Sequence, residues 1–360
     1  MIRYLAERIG SGALVLVGVA ILVFFLFQLV RFNPAYASAG ESASEATIQN
    51  INRELGLDLP VGRQLLLYLN DISPLSFHVH QSDARSYYNP EKYKGYKLFG
   101  ISGTEVVLKQ PYLGKSFQTG RPVAALLNDV LPNTLVLAFS AIVLASIIGI
   151  WLGVTAAVSQ GSLIDRTVTT ISVLGISFPS FFAAIVLQLV FAYWLSAWTG
   201  LKMTGNLYEA DPYTGVVHLS LQNLLLPAIA LGVRPVAVIT QITRSSMLDV
   251  LHADYIRTAR AKGMSWRPVV FRHALKNALI PVITSITGWL ASLLAGAFFI
   301  EVVFNYNGLG LETVNAVMVK DIPVASGAVL YIATVFVIIN ILTDMLYSLV
   351  DPRVSLTSEK

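Results

Sequence analysis

Residues 245–281 read SSMLDVLHADYIRTARAKGMSWRPVVFRHALKNALIP. This is the one long polar run between apolar segments on the side of the membrane where basic residues accumulate. It carries Arg257, Arg260, Lys262, Arg267, Arg272 and Lys276 against only Asp249 and Asp254. Leu248, Leu251 and Tyr255, with small Ala259 next, recur at helical spacing. Gly263 then ends the pattern, as a glycine just past a helix terminus commonly does. The run predicts a short amphipathic helix, a glycine break, and a second helix that enters the next apolar segment.

Outward from that run, 55% of the chain is hydrophobic and 13% is charged. A soluble domain carries about 25% charged residues, so the chain reads as an integral membrane protein. It has no cysteine, which excludes disulfides, thiol catalysis and cysteine-ligated metals. A formal net charge of +4 is too small to point to a nucleic-acid partner. In a membrane protein the placement of charge matters more than its sum.

Residues 9–30 are uncharged and apolar, and a bilayer crossing needs about 20 such residues. Arg3 and Arg8 precede the run and assign the N-terminus to the cytoplasm. Ala35-Tyr36-Ala37 resembles a cleavage site, but a signal-peptide core is about 7–15 residues long, so 9–30 is read as a retained first span. Further spans are expected at 131–158, 168–195, 223–243, 280–300 and 327–349. The second of these ends in an interfacial belt of Tyr193, Trp194 and Trp198. The 223–243 run is the most interrupted, by Pro227, Arg234 and Pro235. Six spans put both termini inside and the basic loop 244–280 on the cytoplasmic side, where basic residues accumulate. The expectation is an all-α polytopic protein: residues 1–30 as cytoplasmic end and first helix, 31–130 extracytoplasmic, 131–350 a five-helix core, and 351–360 a cytoplasmic tail.

Residues 31–130 are polar and of mixed charge. Within them, 45–70 has helical spacing interrupted at Pro60, and 104–108 favours a strand. Gly114-Lys115-Ser116 looks like the end of a phosphate-binding loop, but Lys109 stands where that motif needs glycine. His78 and His80 form an H-x-H pair that could hold a metal on one strand face. Without other ligands nearby, a solvated polar pair is the simpler reading. His252 and His273 read as surface residues.

Arg234 falls near the middle of a span, where a charge costs at least about 2.5 kcal/mol on insertion scales. It lines a polar path, pairs with an acid such as Asp344 of the last span, or snorkels from a span shifted or broken at Pro235. Small and hydroxylated residues are frequent in the spans, including Gly149, Gly153, Gly175, Ser177, Pro179 and Ser180. Close helix packing is their default role, and Pro179 predicts a kink. Ser177, Arg234 and Asp344 are the candidate path residues.

Thr243-Arg244-Ser245-Ser246-Met247, the run 254–263 (DYIRTARAKG) and the run 272–281 (RHALKNALIP) resemble the cytoplasmic "EAA" loop of bacterial ATP-binding-cassette (ABC) importer permeases. They look like the dipeptide/oligopeptide/nickel permease family, first-subunit type. Shorter matches in order along the chain are Leu55-Gly56-Leu57-Asp58, Leu113-Gly114-Lys115-Ser116, Leu131-Pro132-Asn133-Thr134-Leu135, Asp165-Arg166, Phe304 with Gly308-Leu309-Gly310, and Asp351-Pro352-Arg353. The resemblance implies a type I importer permease fold of six helices in the bacterial cytoplasmic (inner) membrane. It also implies a second homologous permease subunit, two cytoplasmic ATP-binding subunits and an extracytoplasmic substrate-binding protein, with no cofactor and no nucleic acid. ATP hydrolysis would sit on the partners. Carried over, the ATPase-coupling residues are Asp254, Tyr255, Arg257, Thr258, Ala259, Arg260, Lys262 and Gly263. The chain departs from the general motif in having Arg257 where the glutamate falls, and in inserting roughly 73–110 after the first helix.

A stand-alone secondary transporter or channel would need ionisable residues within the spans, and only Arg234 and Asp344 qualify. A scaffold whose basic loop binds membrane lipid would gain roughly 1 kcal/mol per basic residue, but needs neither the glycine break nor the apolar stripe. The cargo stays open between peptides, nickel chelates and other solutes, because the loop reads the ATPase and not the cargo.

Overall fold

The computed structural model describes residues 2–29, 44–54, 56–79, 87–90, 92–101, 103–211 and 213–350. His80, Leu55, the Ala35-Tyr36-Ala37 site and the tail with Asp351-Pro352-Arg353 lie outside those residues. Contacts divide the chain into two compact units: Met1–Arg8, Val130–Leu311 and Val335–Lys360 form one, and Ile9–Asp129 with Glu312–Thr334 the other.

Among the described residues, five helices are long and apolar enough to cross a membrane: α1 (Ile2–Leu29), α4 (Val123–Val158), α8 (Gln222–Leu251), the helical stretch Trp266–Phe304, and α13 (Ile322–Val350). A sixth candidate is the pair α5 (Leu163–Ser177) and α6 (Ser180–Leu187), the latter prolonged by a π-helical stretch Gln188–Trp194. The pair is bent by 110°. Phe178 and Pro179 are both extended there, with ψ of 134° and 138°. A proline disfavours the helical conformation at the residue before it, and here the expected kink is a full break. The 223–243 run, which reads as the most interrupted, is a continuous 30-residue helix with Pro227 and Pro235 inside it.

In the first unit α8 is the central element. Its apolar stretch is 56% buried, against 17% for α1. It meets α4 at Gly149 and Gly153, where an added Cβ would lie 2.8 Å from Ile239 Cγ2 and 2.5 Å from Thr243 Cβ. This is close packing through small residues four apart. On its other side α8 packs against α11 (Leu275–Phe304), and Leu137, Ile239, Leu293 and Ile300 lie in their shared core.

The second unit carries the polar stretch 73–110, read from the sequence as an insertion. Helices α2 (Glu45–Glu54) and α3 (Val61–Ile72) flank Pro60, as the sequence predicts. Strands β1 (Leu75–Val79), β2 (Gly95–Ile101) and β3 (Thr104–Lys109) form an antiparallel sheet in the order β1-β3-β2. The strand expected at 104–108 is therefore its centre. His78 is fully buried and hydrogen-bonded through Nε2 to Ser76 Oγ at 2.9 Å. This corrects the solvated-pair reading, because the ring packs between Tyr88 and Tyr93. In the same unit Ser116 Oγ donates to Asp321 Oδ2 at 2.5 Å and accepts from the backbone N–H of Thr119 at 2.9 Å. That serine closes a turn.

The remaining elements are α7 (Ser196–Thr199), the hairpin β4 (Tyr208–Ala210) and β5 (Val217–Leu219), α9 (Asp254–Ala261), α10 (Trp266–Pro268) with the π-helical stretch Val269–Ala274, and α12 (Leu309–Met318).

Candidate functional site

Helix α9 is a two-turn element, with Ala253 extended before it and Asp254 in its first turn. Its C-terminus is closed by a Schellman pair. The N–H of Met264 donates to Ala259 O at 3.3 Å, and the N–H of Gly263 donates to Arg260 O at 2.9 Å. That geometry needs a left-handed residue at Gly263, whose φ is +82°. The predicted glycine stop is observed.

One side chain holds the helix down. Ile256 is buried against Val154, Ala157, Met247, Val269, Val270 and Ala274, with Leu248, Leu251 and Ala259 flanking the cluster. Burying an isoleucine contributes roughly 1.5–3 kcal/mol. Tyr255, expected on this stripe, is exposed instead, and its hydroxyl accepts from Asn277 Nδ2 at 2.8 Å. The reason is phase: α8 stops at Leu251 and α9 restarts at Asp254, so the spacing set by Leu248 and Leu251 does not carry across the junction.

Asp254, Tyr255, Arg257, Thr258, Arg260, Lys262 and Gly263 all present to solvent, and Ala259 is half-buried. Arg257 pairs with Asp254 at 3.5 Å. Between two such exposed groups the contact is worth about 0–1 kcal/mol, so both charges stay available to a partner. The Arg260 guanidinium lies 5.0 Å from the centre of the Trp266 ring. Beside this surface, Asp165 and Arg244 pair through two nitrogen–oxygen contacts, and Gly161 N–H donates to Asp165 Oδ2 at 2.9 Å. The α4–α5 turn is thereby tied to the C-terminal part of α8.

The candidate path residues are not brought together. Asp344 pairs with Arg8 at 3.1 Å and not with Arg234, which corrects the expected partnership. Arg234 is exposed on α8, with no hydrogen bond or ion pair to another described residue. Ser177 donates to Val173 O, four residues back on its own helix, at 2.9 Å.

Sequence reasoning missed a buried knot at the other end of the spans. Glu301 is fully buried at the end of α11. Its carboxylate accepts from Thr134 Oγ1 at 2.6 Å, from Gly310 N–H at 2.6 Å and from Leu311 N–H at 3.3 Å. The last two are orphan donors of the first turn of α12, where an anion is favoured. Leu309 N–H donates to Thr134 Oγ1 at 2.9 Å, and Tyr306 OH donates to Asn133 O at 3.2 Å. Two of the short motifs, 131–135 and 304–310, are thus one interlocked structure. A lone glutamate ending an apolar run gave no sign of this beyond the neighbouring Gly308 and Gly310.

Residues 147–356 match the family model described as "Binding-protein-dependent transport system inner membrane component", and residues 1–83 match its N-terminal counterpart. The chain belongs to this family. The binding-protein-dependent permease is 34% identical over 367 residues to a dipeptide transport system permease protein of Alkalihalophilus pseudofirmus, covering 98% of this chain and 99% of the relative. It is 33% identical to a di/tripeptide transport system permease protein of Pseudomonas aeruginosa, at 98% and 99% coverage. A methionine ABC transporter solved in inward-facing conformations is 18% identical, covering 63% of this chain and 97% of that chain, with a TM-score of 0.49. The permease is therefore a multi-pass inner-membrane subunit of an ABC importer, working with ATPase and other ABC subunits.

Proposed function

We propose that this permease moves di- or oligopeptides inward across the cytoplasmic membrane by alternating access, with α9 as the handle that partner ATPases pull. The observation that carries the reading is the build of α9: stopped by Gly263, pinned by Ile256, and exposed at its other positions apart from half-buried Ala259. The relatives named for dipeptide and di/tripeptide transport support the cargo class. The assembly would hold a second homologous permease, two cytoplasmic ATP-binding subunits that hydrolyse ATP, and an external binding protein that delivers peptide. A partner shifts a two-state equilibrium only through different affinity for the two states, so the ATPases must grip α9 differently in each.

Both termini are assigned to the cytoplasm. The Arg8–Asp344 pair supports a shared side for the two termini, because it joins the start of the first span to the end of the last, and the basic residues Arg3 and Arg8 support the cytoplasmic side. An even number of crossings follows, with the bent α5–α6 pair counted as one. The insertion 73–110 then faces outward, toward the binding protein, and Arg234 faces the path between permease subunits.

The test is reconstitution. Arg257→Glu with Arg260→Glu should release the ATPase subunits on co-purification, while the variant still inserts and folds. Retention of both ATPases together with normal peptide uptake would overturn the docking role of α9. Arg234→Gln should lower uptake without changing assembly, and unchanged uptake removes Arg234 from the path.

A further inference from the structure

The sheet of the insertion is built inside out. Leu75 pairs with Leu108, which pairs with Tyr96; Phe77 pairs with Val106, which pairs with Phe99. Paired residues in a ladder share a face. Tyr96 and Phe99 are three residues apart and would fall on opposite faces of a regular strand. The register shift between Lys97 and Phe99 brings both to the same side, as a bulge does when it re-aims side chains. One face is therefore made of Leu75, Phe77, Leu108, Tyr96 and Phe99, and these are between 46% and 81% exposed.

The other face holds the polar groups and is the covered one. Ser76, His78, Val107 and Lys109 are buried there against Tyr88, Tyr93 and Tyr112. The three strands contain three charged side chains, Lys97, Glu105 and Lys109. Lys97 pairs with Glu105 at 2.7 Å and Lys109 donates to the backbone of Asp71, so none is left for the open face. A water-facing sheet places these two faces the other way round. An open apolar face bearing aromatic rings and no charge is complementary to lipid.

The sheet is also moored to a span. Asn70 of α3 exchanges two hydrogen bonds with the backbone of Phe77, at 3.0 and 2.7 Å. Two residues earlier in α3, the Tyr68 ring lies 5.6 Å from the ring of Phe24 in α1. Phe24 is five residues from the end of α1 at Leu29, which puts α3 about 7.5 Å along the axis from that end. Tether and sheet thus start within two turns of the described end of the apolar helix α1.

We propose that this face rests on the outer-leaflet interface of the bilayer that α1 crosses, with Phe77, Tyr96 and Phe99 among the headgroups and upper acyl chains. Only the leaflet rests on the topology given under Proposed function. The absence of cysteine makes the test direct. Phe77→Cys, Tyr96→Cys and Phe99→Cys, each labelled with an environment-sensitive dye, are assembled in the whole importer in nanodiscs. Some nanodiscs contain lipid with a doxyl quencher near the headgroup. Leu22→Cys, exposed on α1, serves as the lipid reference, and the dye's free cysteine adduct as the water reference. Blue-shifted emission, loss of intensity with doxyl lipid and little loss with iodide are expected at all three sites. Iodide quenching equal to the free adduct would overturn the proposal, as would protection from both quenchers, which means that a protein covers the face. Labelling of Tyr213→Cys by a membrane-impermeant maleimide on intact cells reports the topology separately, so a wrong leaflet and a missing lipid contact give different results.

Discussion

Asp165 and Arg244, 79 residues apart in the chain, meet in a two-pronged contact with Arg244 Nε 2.5 Å from Oδ1 and Nη2 2.8 Å from Oδ2 of the carboxylate. Asp165 starts α5 and Arg244 lies in the last third of α8, so the pair fixes the turn beside α9 against the helix that leads into it.

Arg244→Lys keeps the charge and loses the fork that fits a carboxylate at two points. We expect it to cost about 1.5–3 kcal/mol, the range for hydrogen bonds to charged groups, and Asp165→Asn to cost a similar amount. Denaturant unfolding of the solubilised subunit measures both. A loss below about 0.5 kcal/mol, the level of an ordinary surface substitution, would show that the contact does not hold the turn.

The knot around Glu301 has no slack. A Cβ on Gly310 would stand 2.5 Å from Phe298 Cα and 2.9 Å from Glu301 Oε2, so backbone must give way. Gly310→Ala is expected to destabilise by about 1–3 kcal/mol, as overpacking does. Glu301→Gln turns an acceptor into a donor facing the N–H groups of α12, with a cost of about 1–3 kcal/mol. Thr134→Ser keeps the hydroxyl and should be milder than either. Thermal unfolding that ranks Thr134→Ser as the worst of the three contradicts the network.

Gly263→Ala isolates backbone conformation, because an added Cβ meets nothing within 4 Å while φ stays at +82°. The left-handed region costs an alanine about 1–2 kcal/mol, enough to unwind the Schellman closure of α9. Peptide uptake per ATP hydrolysed should fall while membrane insertion is unchanged. Gly103→Ala, at φ +84° in equally open space, carries the same strain in the β2–β3 turn and should leave that ratio alone.

Lys109 gives the insertion a pH dependence. Burial pushes its ammonium from 10.5 down to about 8, against the opposing pull of Asp71. The folded state therefore holds this proton less tightly than the unfolded chain, so its penalty is full below pH 8 and fades as pH rises toward 10.5. Burial raises the Tyr93 and Tyr112 hydroxyls, and Asp71 adds to both, so they oppose the gain once the unfolded tyrosines ionise near pH 10. Stability of the insertion should rise between about pH 8 and pH 10. The rise should vanish in Lys109→Met, as read by hydrogen exchange of β3 amides in the variant relative to the parent at each pH. A rise that survives the substitution would rule Lys109 out.

The sequence carried different parts of this molecule unequally. Apolar length located the five long helices, because bilayer thickness is a coarse constraint that local chemistry does not disguise, but it gave 168–195 as one span where the chain breaks into two helices bent by 110°. Continuity was not legible from prolines: Pro227 and Pro235 sit inside an unbroken α8, whereas Pro179 ends a helix outright. The difference lies in the packing, since α8 is enclosed by neighbours that hold its shape. In the loop 244–280 the glycine stop was legible and the anchor was not, because periodicity presumes one helix and the two-residue junction His252-Ala253 resets it before Ile256. Arg8, Glu301 and Thr134 find partners far along the chain, and spacing is silent about such pairings. In the insertion, a strand pattern at 104–108 could be read, but a bulge that turns the apolar face outward leaves no mark in composition.

Helix α8 starts beside the β4–β5 hairpin, where Asn223 Nδ2 donates to Asn206 O at 2.9 Å, and ends two residues before Ala253, at whose far side α9 begins. Thirty residues make a rod about 45 Å long with no loop in it to absorb motion. A displacement of its C-terminal end would reach the β4–β5 hairpin as tilt. The two prolines, each lacking one hydrogen bond, are the only built-in joints in that shaft, and they set where along its length a stroke is turned into bending.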